Sequence, residues 1–308
     1  MEVIKQFFNS FLAEKMAAWI CGNIRHTMEV IVLQTNSMNA DIGMDPRSYN
    51  STVWSIIESI TENAVSPIAV LILTAVMLIE LISWANTQNN MHTSSEVIGH
   101  FINFFIKLFI GIFLVSKSHD ITLLVFQMSS YVVSMAGSTL DTEITYNLLS
   151  ESSIAALQNE LALKGADGIA GFSTLLVMLI VSLIGVLGSY VIFVICRVIV
   201  IRRIIQIYMY CSIGAIPYAS FMNKELSTIG INYIKNLFAI AFQGFFMLVA
   251  ITIYGYLFAS MDFSAYGGVL STAIGLVGMI LEYLCYGFAL CFTLIGSKSL
   301  AKSIFNAH

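Results

Sequence analysis

Charge is scarce in this chain. Only 10% of its 308 residues are Asp, Glu, Lys or Arg, while 58% are hydrophobic and the mean hydropathy is +0.85. Soluble domains carry about 25% charged residues, so this balance excludes a soluble globular class and indicates an integral membrane protein. Cysteine pairs at metal or redox spacing are lacking too. Cys21, Cys196, Cys211, Cys285 and Cys291 form no CxxC, and four of them sit in or beside apolar segments, where they read as small buried hydrophobes. No GxxxxGK[ST], HExxH or GxSxG occurs, and His26, His92, His100, His119 and His308 show no metal-like spacing. An enzyme is therefore not expected, nor a cofactor, a metal or catalytic residues. The basic residues are scattered outside one cluster and form no nucleic-acid module. The first twenty residues do not read as a signal peptide, since Glu2, Lys5, Gln6, Asn9, Glu14 and Lys15 interrupt any apolar core.

What the chain does have is long apolar runs. Six segments are long enough to cross a hydrocarbon core of about 30 Å at 1.5 Å per residue: 64–85, 97–115, 121–138, 171–196, 236–258 and 269–296. The expected fold is an all-α polytopic bundle of about six transmembrane helices. The weakest span is 121–138, diluted by Gln127, Ser129, Ser130 and Ser134. Ahead of the spans, Ile4, Phe7, Phe8, Phe11 and Leu12 follow the helical i, i+3, i+4 pattern and predict an amphipathic helix on the membrane surface. Arg25, His26 and Glu29 make 17–35 too polar to span on insertion scales, so it is read as a continuation of that surface helix, and 36–50 as a polar loop. The chain divides into an N-terminal interfacial region (1–63), a polytopic membrane domain (64–296) and a cytoplasmic tail (297–308). The longest polar loop is 139–170.

Orientation follows from where the basic residues fall. With the N-terminus inside and six crossings, Lys5, Lys15, Arg25, Arg47, Lys117, Arg197, Arg202, Arg203, Lys224, Lys235, Lys298 and Lys302 are cytoplasmic, which the positive-inside rule favours. Both termini are thus expected inside a cell membrane. Arg202 and Arg203 before, and Lys224 after, flank the apolar stretch Ile204 to Phe221, which predicts a re-entrant or interfacial hairpin turned between Gly214 and Pro217. Small residues at four-residue spacing, Gly185 with Ser189 and Ser271 with Gly275, suit close helix packing. Lys107 and Glu282 lie near the middle of spans. Each costs about 2.5 to 3.5 kcal/mol there if left alone, so the two are expected to pair, or else to line a polar path.

The run Arg197-Val-Ile-Val-Ile-Arg-Arg, then Ile207-Tyr-Met-Tyr, Ala215-Ile-Pro217, Ser220-Phe221, Tyr233-Ile-Lys-Asn-Leu and Gln243-Gly244, resembles the TrbL-like polytopic membrane subunit of type IV secretion systems. The resemblance is to the form carried by conjugative elements of Gram-positive bacteria, and it covers Tyr190 to Tyr254. It implies a channel or platform subunit that helps move relaxase-bound single-stranded DNA, or protein, across the cell membrane. It also implies partners: a cytoplasmic secretion ATPase, a coupling protein, bitopic scaffold subunits, further copies of the chain, and transient contact with the single-stranded DNA or relaxase cargo. The hub residues Arg197, Arg202, Arg203, Pro217, Lys224 and Lys235 would then dock cytoplasmic partners. A secondary transporter of a small solute, or a membrane scaffold lining no path, are the alternatives. Transporters show paired halves with corresponding broken helices, and the two halves of this chain do not mirror each other.

Overall fold

A computed structural model describes residues 2–88, 94–139, 151–259 and 272–307, and among them every regular element is helical. In order these are α1 (Glu2–Gly43), α2 (Pro46–Tyr49), α3 (Ser51–Ile60), a π-helical turn (Thr61–Val65), α4 (Ser66–Gln88), α5 (Ser94–Ser116), α6 (Ser118–Thr139) and α7 (Glu151–Gly165). They continue with α8 (Gly168–Ile213), α9 (Ala215–Ala219), a 3-10 turn (Ser220–Met222), α10 (Ser227–Ala259) and α11 (Ala273–Ile304). Six stretches are long and apolar enough to cross a membrane: Ser51–Asn86, Ile98–Ser116, Ser118–Ser138, Ile169–Ile213, Ser227–Phe258 and Ala273–Ile304. The all-α polytopic fold read from the sequence is the fold observed. Residues 269–271 of the sixth expected span lie outside the described residues.

Local chemistry sets the breaks. Between Gly22 and Gly43 the chain has neither glycine nor proline, so α1 runs on through 36–42, where a loop was expected, and stops at Gly43. Asp45 then caps α2, its carboxylate accepting from the Arg47 N–H at 2.9 Å with Pro46 in the first turn, and Asn50 caps α3 through the Val53 N–H at 3.1 Å. The expected loop 139–170 is in part helix, since α7 occupies 151–165; residues 140–150, including Asp141 and Glu143, lie outside the described residues. Of the hairpin expected over 204–221, Ile204 to Ile213 hold no glycine or proline and extend α8, the break falls at Gly214, and the short α9 and the 3-10 turn follow it.

The helices divide into two compact units. The first holds 1–40, 137–199 and 248–295; the second holds 41–136, 200–247 and 296–308. In the first, glycines of one helix receive large side chains of another. A β-carbon at Gly185 would stand 3.1 Å from Ile280 Cδ1, one at Gly188 2.5 Å from Leu284 Cδ2, and one at Gly287 2.5 Å from Ile192 Cδ1. The numbers rise together, so α8 and α11 run parallel with backbones brought close by the missing side chains. One step further on, Cys196 and Cys291 meet with their sulfurs 3.4 Å apart. In the second unit, α9 and the 3-10 turn lie against α4 and α5 in a core of Ala69, Leu73, Val76, Met77, Val115, Ala215, Ala219 and Met222. Gly111 permits that approach, because a β-carbon there would meet Leu73 and Met222 at 2.8 Å.

Candidate functional site

The polar residues of the second unit gather around the end of α8. Adjacent residues on a helix point about 100° apart, and the two hub arginines accordingly part company. Arg202 is exposed, whereas Arg203 is 5% exposed and turns inward. Its guanidinium donates from Nη1 to the Ile42 carbonyl (3.3 Å), from Nη2 to the Ala241 carbonyl (3.2 Å) and from Nε to the Ile240 carbonyl (3.4 Å). Ile42 is in the last turn of α1, where carbonyls lack helical partners and carry the negative end of the dipole, so the cation caps that helix. Room for the guanidinium exists because residue 244 is glycine: a β-carbon there would lie 2.6 Å from Arg203 Cζ. Ser129 also donates to the Ala241 carbonyl. Arg203 is therefore a structural cation, which corrects its expected place among the outward docking residues.

Around the break at Gly214 the Tyr233 hydroxyl is bonded internally, whereas the buried Tyr218 hydroxyl and both His119 ring nitrogens have no hydrogen-bond partner among the described residues. Tyr233 donates to the Tyr210 carbonyl at 2.8 Å and meets the Thr122 hydroxyl at 3.3 Å. A β-carbon at Gly214 would stand 2.8 Å from the Tyr233 oxygen, so the break needs glycine there for space as well as for flexibility. Tyr218 packs edge-on against Tyr233, and burial pushes its phenol above the ordinary value, which keeps it neutral. Pro217 is half-buried within α9. Nearby, Tyr208 donates to the Pro46 carbonyl at 2.9 Å, and the Trp54 ring meets both Arg47 (5.6 Å to the ring centroid) and His119 (4.9 Å between rings). Gln127 donates to Asp45 at 3.1 Å.

The remaining expected residues fall as follows. Arg197 is half-buried on α8, Lys224 is exposed, and Lys235 is half-buried on α10. Arg202 is joined by two cations read from the sequence only as topology signals, Lys298 and Lys302 on α11, and both Arg202 and Lys302 act electrostatically on Lys298. Ser189 is buried on α8 and donates to the Val186 carbonyl at 2.6 Å. Gly275 sits in the first turn of α11, where its N–H donates to the Thr272 hydroxyl at 3.2 Å, and Ser271 lies outside the described residues.

Lys107 has a different partner from the one expected. It meets Glu80 of α4, whose other oxygen accepts from Asn223 Nδ2 at 3.0 Å. Asn223 in turn caps the approach to α10, its Oδ1 accepting from the Glu225 and Leu226 N–H groups at 2.9 and 3.2 Å. Lys107 and Glu80 belong to the second unit, while Glu282 is half-buried on α11 in the first. Neighbouring spans joined by a short connection supply the nearest counter-charge, and Glu80 read alone resembles an interface anchor. Lys107→Met and Glu80→Gln should each destabilise the solubilised protein by about 1 to 2 kcal/mol, a modest figure because the lysine is 43% exposed. The double variant should recover part of the loss in a thermal melt. Simple addition of the two losses would show that the charges act independently.

Among the described residues no group of three or more His, Cys, Asp or Glu side chains could hold a metal ion. A family model described as "TrbL/VirB6 plasmid conjugal transfer like protein" matches residues 31–215, more than half of the chain. The match runs from the second half of α1 to the start of α9, so it covers the first four spans and the arginine hub and overlaps the resemblance read at 190–254 only in part. No curated protein and no solved structure matches the chain.

Proposed function

Because this chain belongs to the TrbL/VirB6 plasmid conjugal transfer-like family, a type IV secretion component, we propose that it serves as the membrane channel or platform subunit of a conjugation machine. The cargo in this reading is relaxase-bound single-stranded DNA, or protein. The carrying observation is the family match over the first four spans and the hub arginines together. Six helices able to cross a bilayer support multi-pass insertion, and the basic end of α8 and α11 supports a cytoplasmic docking face made of Arg202, Lys298 and Lys302, with Lys224 exposed beyond it. Partners of the required kind are acidic surfaces of a secretion ATPase, a coupling protein or a scaffold subunit. The subunit's role is positional, with no chemical step of its own.

Deletion of the gene should abolish transfer of the element to recipient cells, while donor growth and nicking of the element's DNA by relaxase continue. The tagged protein should co-purify with the secretion ATPase from cross-linked membranes. Normal transfer from the deletion strain would remove the reading. Bulk uptake of a small solute by the purified protein in liposomes, without ATPase association, would replace it with a secondary transporter.

A further inference from the structure

Helix α1 does not behave as a surface helix. Its residues meet α7 and α8 within the first unit, and the partners on α8 advance along with it. A β-carbon at Gly165 would touch both Ala13 (2.9 Å) and Leu175, Asn23 donates to the Ser182 hydroxyl at 2.9 Å, and the His26 ring meets the Tyr190 hydroxyl at 2.8 Å. Further on, Thr35 and Met38 share a small cavity with Ser189, Ile192 and Cys196. The two helices are therefore parallel neighbours from Leu175 to Cys196, about 30 Å of helix. That stretch of α8 contains no Asp, Glu, Lys or Arg and lies within a membrane-crossing candidate. A helix lying in the plane of the surface could not follow it through the whole hydrocarbon depth.

Two faces of α1 have opposite surroundings. Ala13, Ala17, Ile20 and Ile24 are buried against protein, whereas Lys15, Gly22, Arg25, His26 and Glu29 are exposed, with the Phe11 and Trp19 rings exposed on the same face. Arg25 and Glu29 form an ion pair at 2.9 Å with more than half of each side chain accessible, level with Ser182 to Tyr190, midway along the uncharged part of α8. Facing lipid, each of these charges would cost about 2.5 to 3.5 kcal/mol, so the accessible side of α1 needs water beside it.

We propose that α1 is a seventh membrane-crossing helix whose Lys15–Gly22–Arg25–His26–Glu29 face borders a water-filled path through the bilayer. Helix α1 then starts on the side of the membrane where α8 starts, which reverses the N-terminal orientation expected from the basic residues alone. The inference deepens the conduit reading and rests on it for what the path carries. The face carries both signs of charge, with Glu29 offsetting Arg25 in an ion pair, so it hydrates a passing polyanion without holding it tightly, as passage requires.

The test is thiol accessibility in a variant lacking the five native cysteines, checked for normal elution in detergent. Gly22→Cys and Glu29→Cys should react with a charged, impermeant methanethiosulfonate reagent in membrane vesicles roughly tenfold faster than Leu187→Cys, because the reacting species is the thiolate, which forms only where there is water. Leu187 is 65% exposed on the uncharged part of α8 and serves as the lipid-facing control. Rates no faster than that control at both positions would overturn the proposal, as would oxidative cross-linking of two chains through Gly22→Cys, which would show a second copy covering the face. Rapid labelling that leaves DNA transfer unchanged would leave this inference standing and count against the conduit reading instead.

Discussion

Arg203→Gln is expected to lower the stability of the solubilised protein by about 2 to 4 kcal/mol, because three charge-assisted hydrogen bonds of about 1.5 to 3 kcal/mol each are lost while only part is regained by no longer burying a cation. The acceptors are the carbonyls of Ile42, Ile240 and Ala241. Those of Ile240 and Ala241 lie within α10 and keep their helical partners, so the loss falls mainly on the end of α1. Arg203→Lys keeps the charge but reaches one acceptor where the guanidinium fork reaches three, and should be intermediate. Gly244→Ala provides a second route to the same defect, since its β-carbon would stand 2.6 Å from Arg203 Cζ and drive the guanidinium out. The double variant should therefore cost clearly less than the sum of the singles. Additivity to within about 0.5 kcal/mol in denaturant titrations would separate the two positions and refute a shared mechanism.

Reversing the three cations at this end, Arg202→Glu with Lys298→Glu and Lys302→Glu, should reduce transfer by about a thousandfold if it removes about 4 kcal/mol of docking to an acidic partner, the scale of like-charge juxtaposition at an interface. Arg202 is exposed, and Lys298 lies within electrostatic reach of both Arg202 and Lys302, an arrangement that suits an anionic counterpart. Membrane abundance should stay normal, and Arg202→Lys should transfer as the parent does. Undiminished transfer by the triple variant at normal abundance would leave these cations as topology signals alone.

Segments 171–196 and 236–258 read as spans at once because they are long and free of charge, and Gly214 and Pro217 announced the break after α8. What failed to show was anything decided by which helix lies beside which. Lys107 has Glu80 as its partner because α4 and α5 are neighbours, a fact that spacing along the chain does not encode. Arg202 and Arg203 look alike as letters, and only the packing at Ile42, Ile240 and Gly244 tells the structural cation from the exposed one. Helix α1 was hidden by its own charges. Hydropathy judges a segment as though lipid surrounded it, and Arg25, His26 and Glu29 share a helix whose other face is covered by protein.

The π-helical turn at Thr61–Val65 joins α3 to α4 without an interruption of the rod. Thr61 marks its start, with its hydroxyl donating to the Ile57 carbonyl at 2.8 Å and reaching the Ser212 carbonyl at 3.4 Å. Such a turn houses one residue more than an α-helix would, and so shifts the phase of everything before it by about 100° relative to everything after. In α3 that phase aims Trp54 at His119 and Tyr208, while in α4 it aims Leu73 and Met77 at α9. Both alignments hold at once only because of the extra residue. A chain one residue shorter at this point would still be helical and apolar throughout, yet it could satisfy one of the two neighbours and not the other.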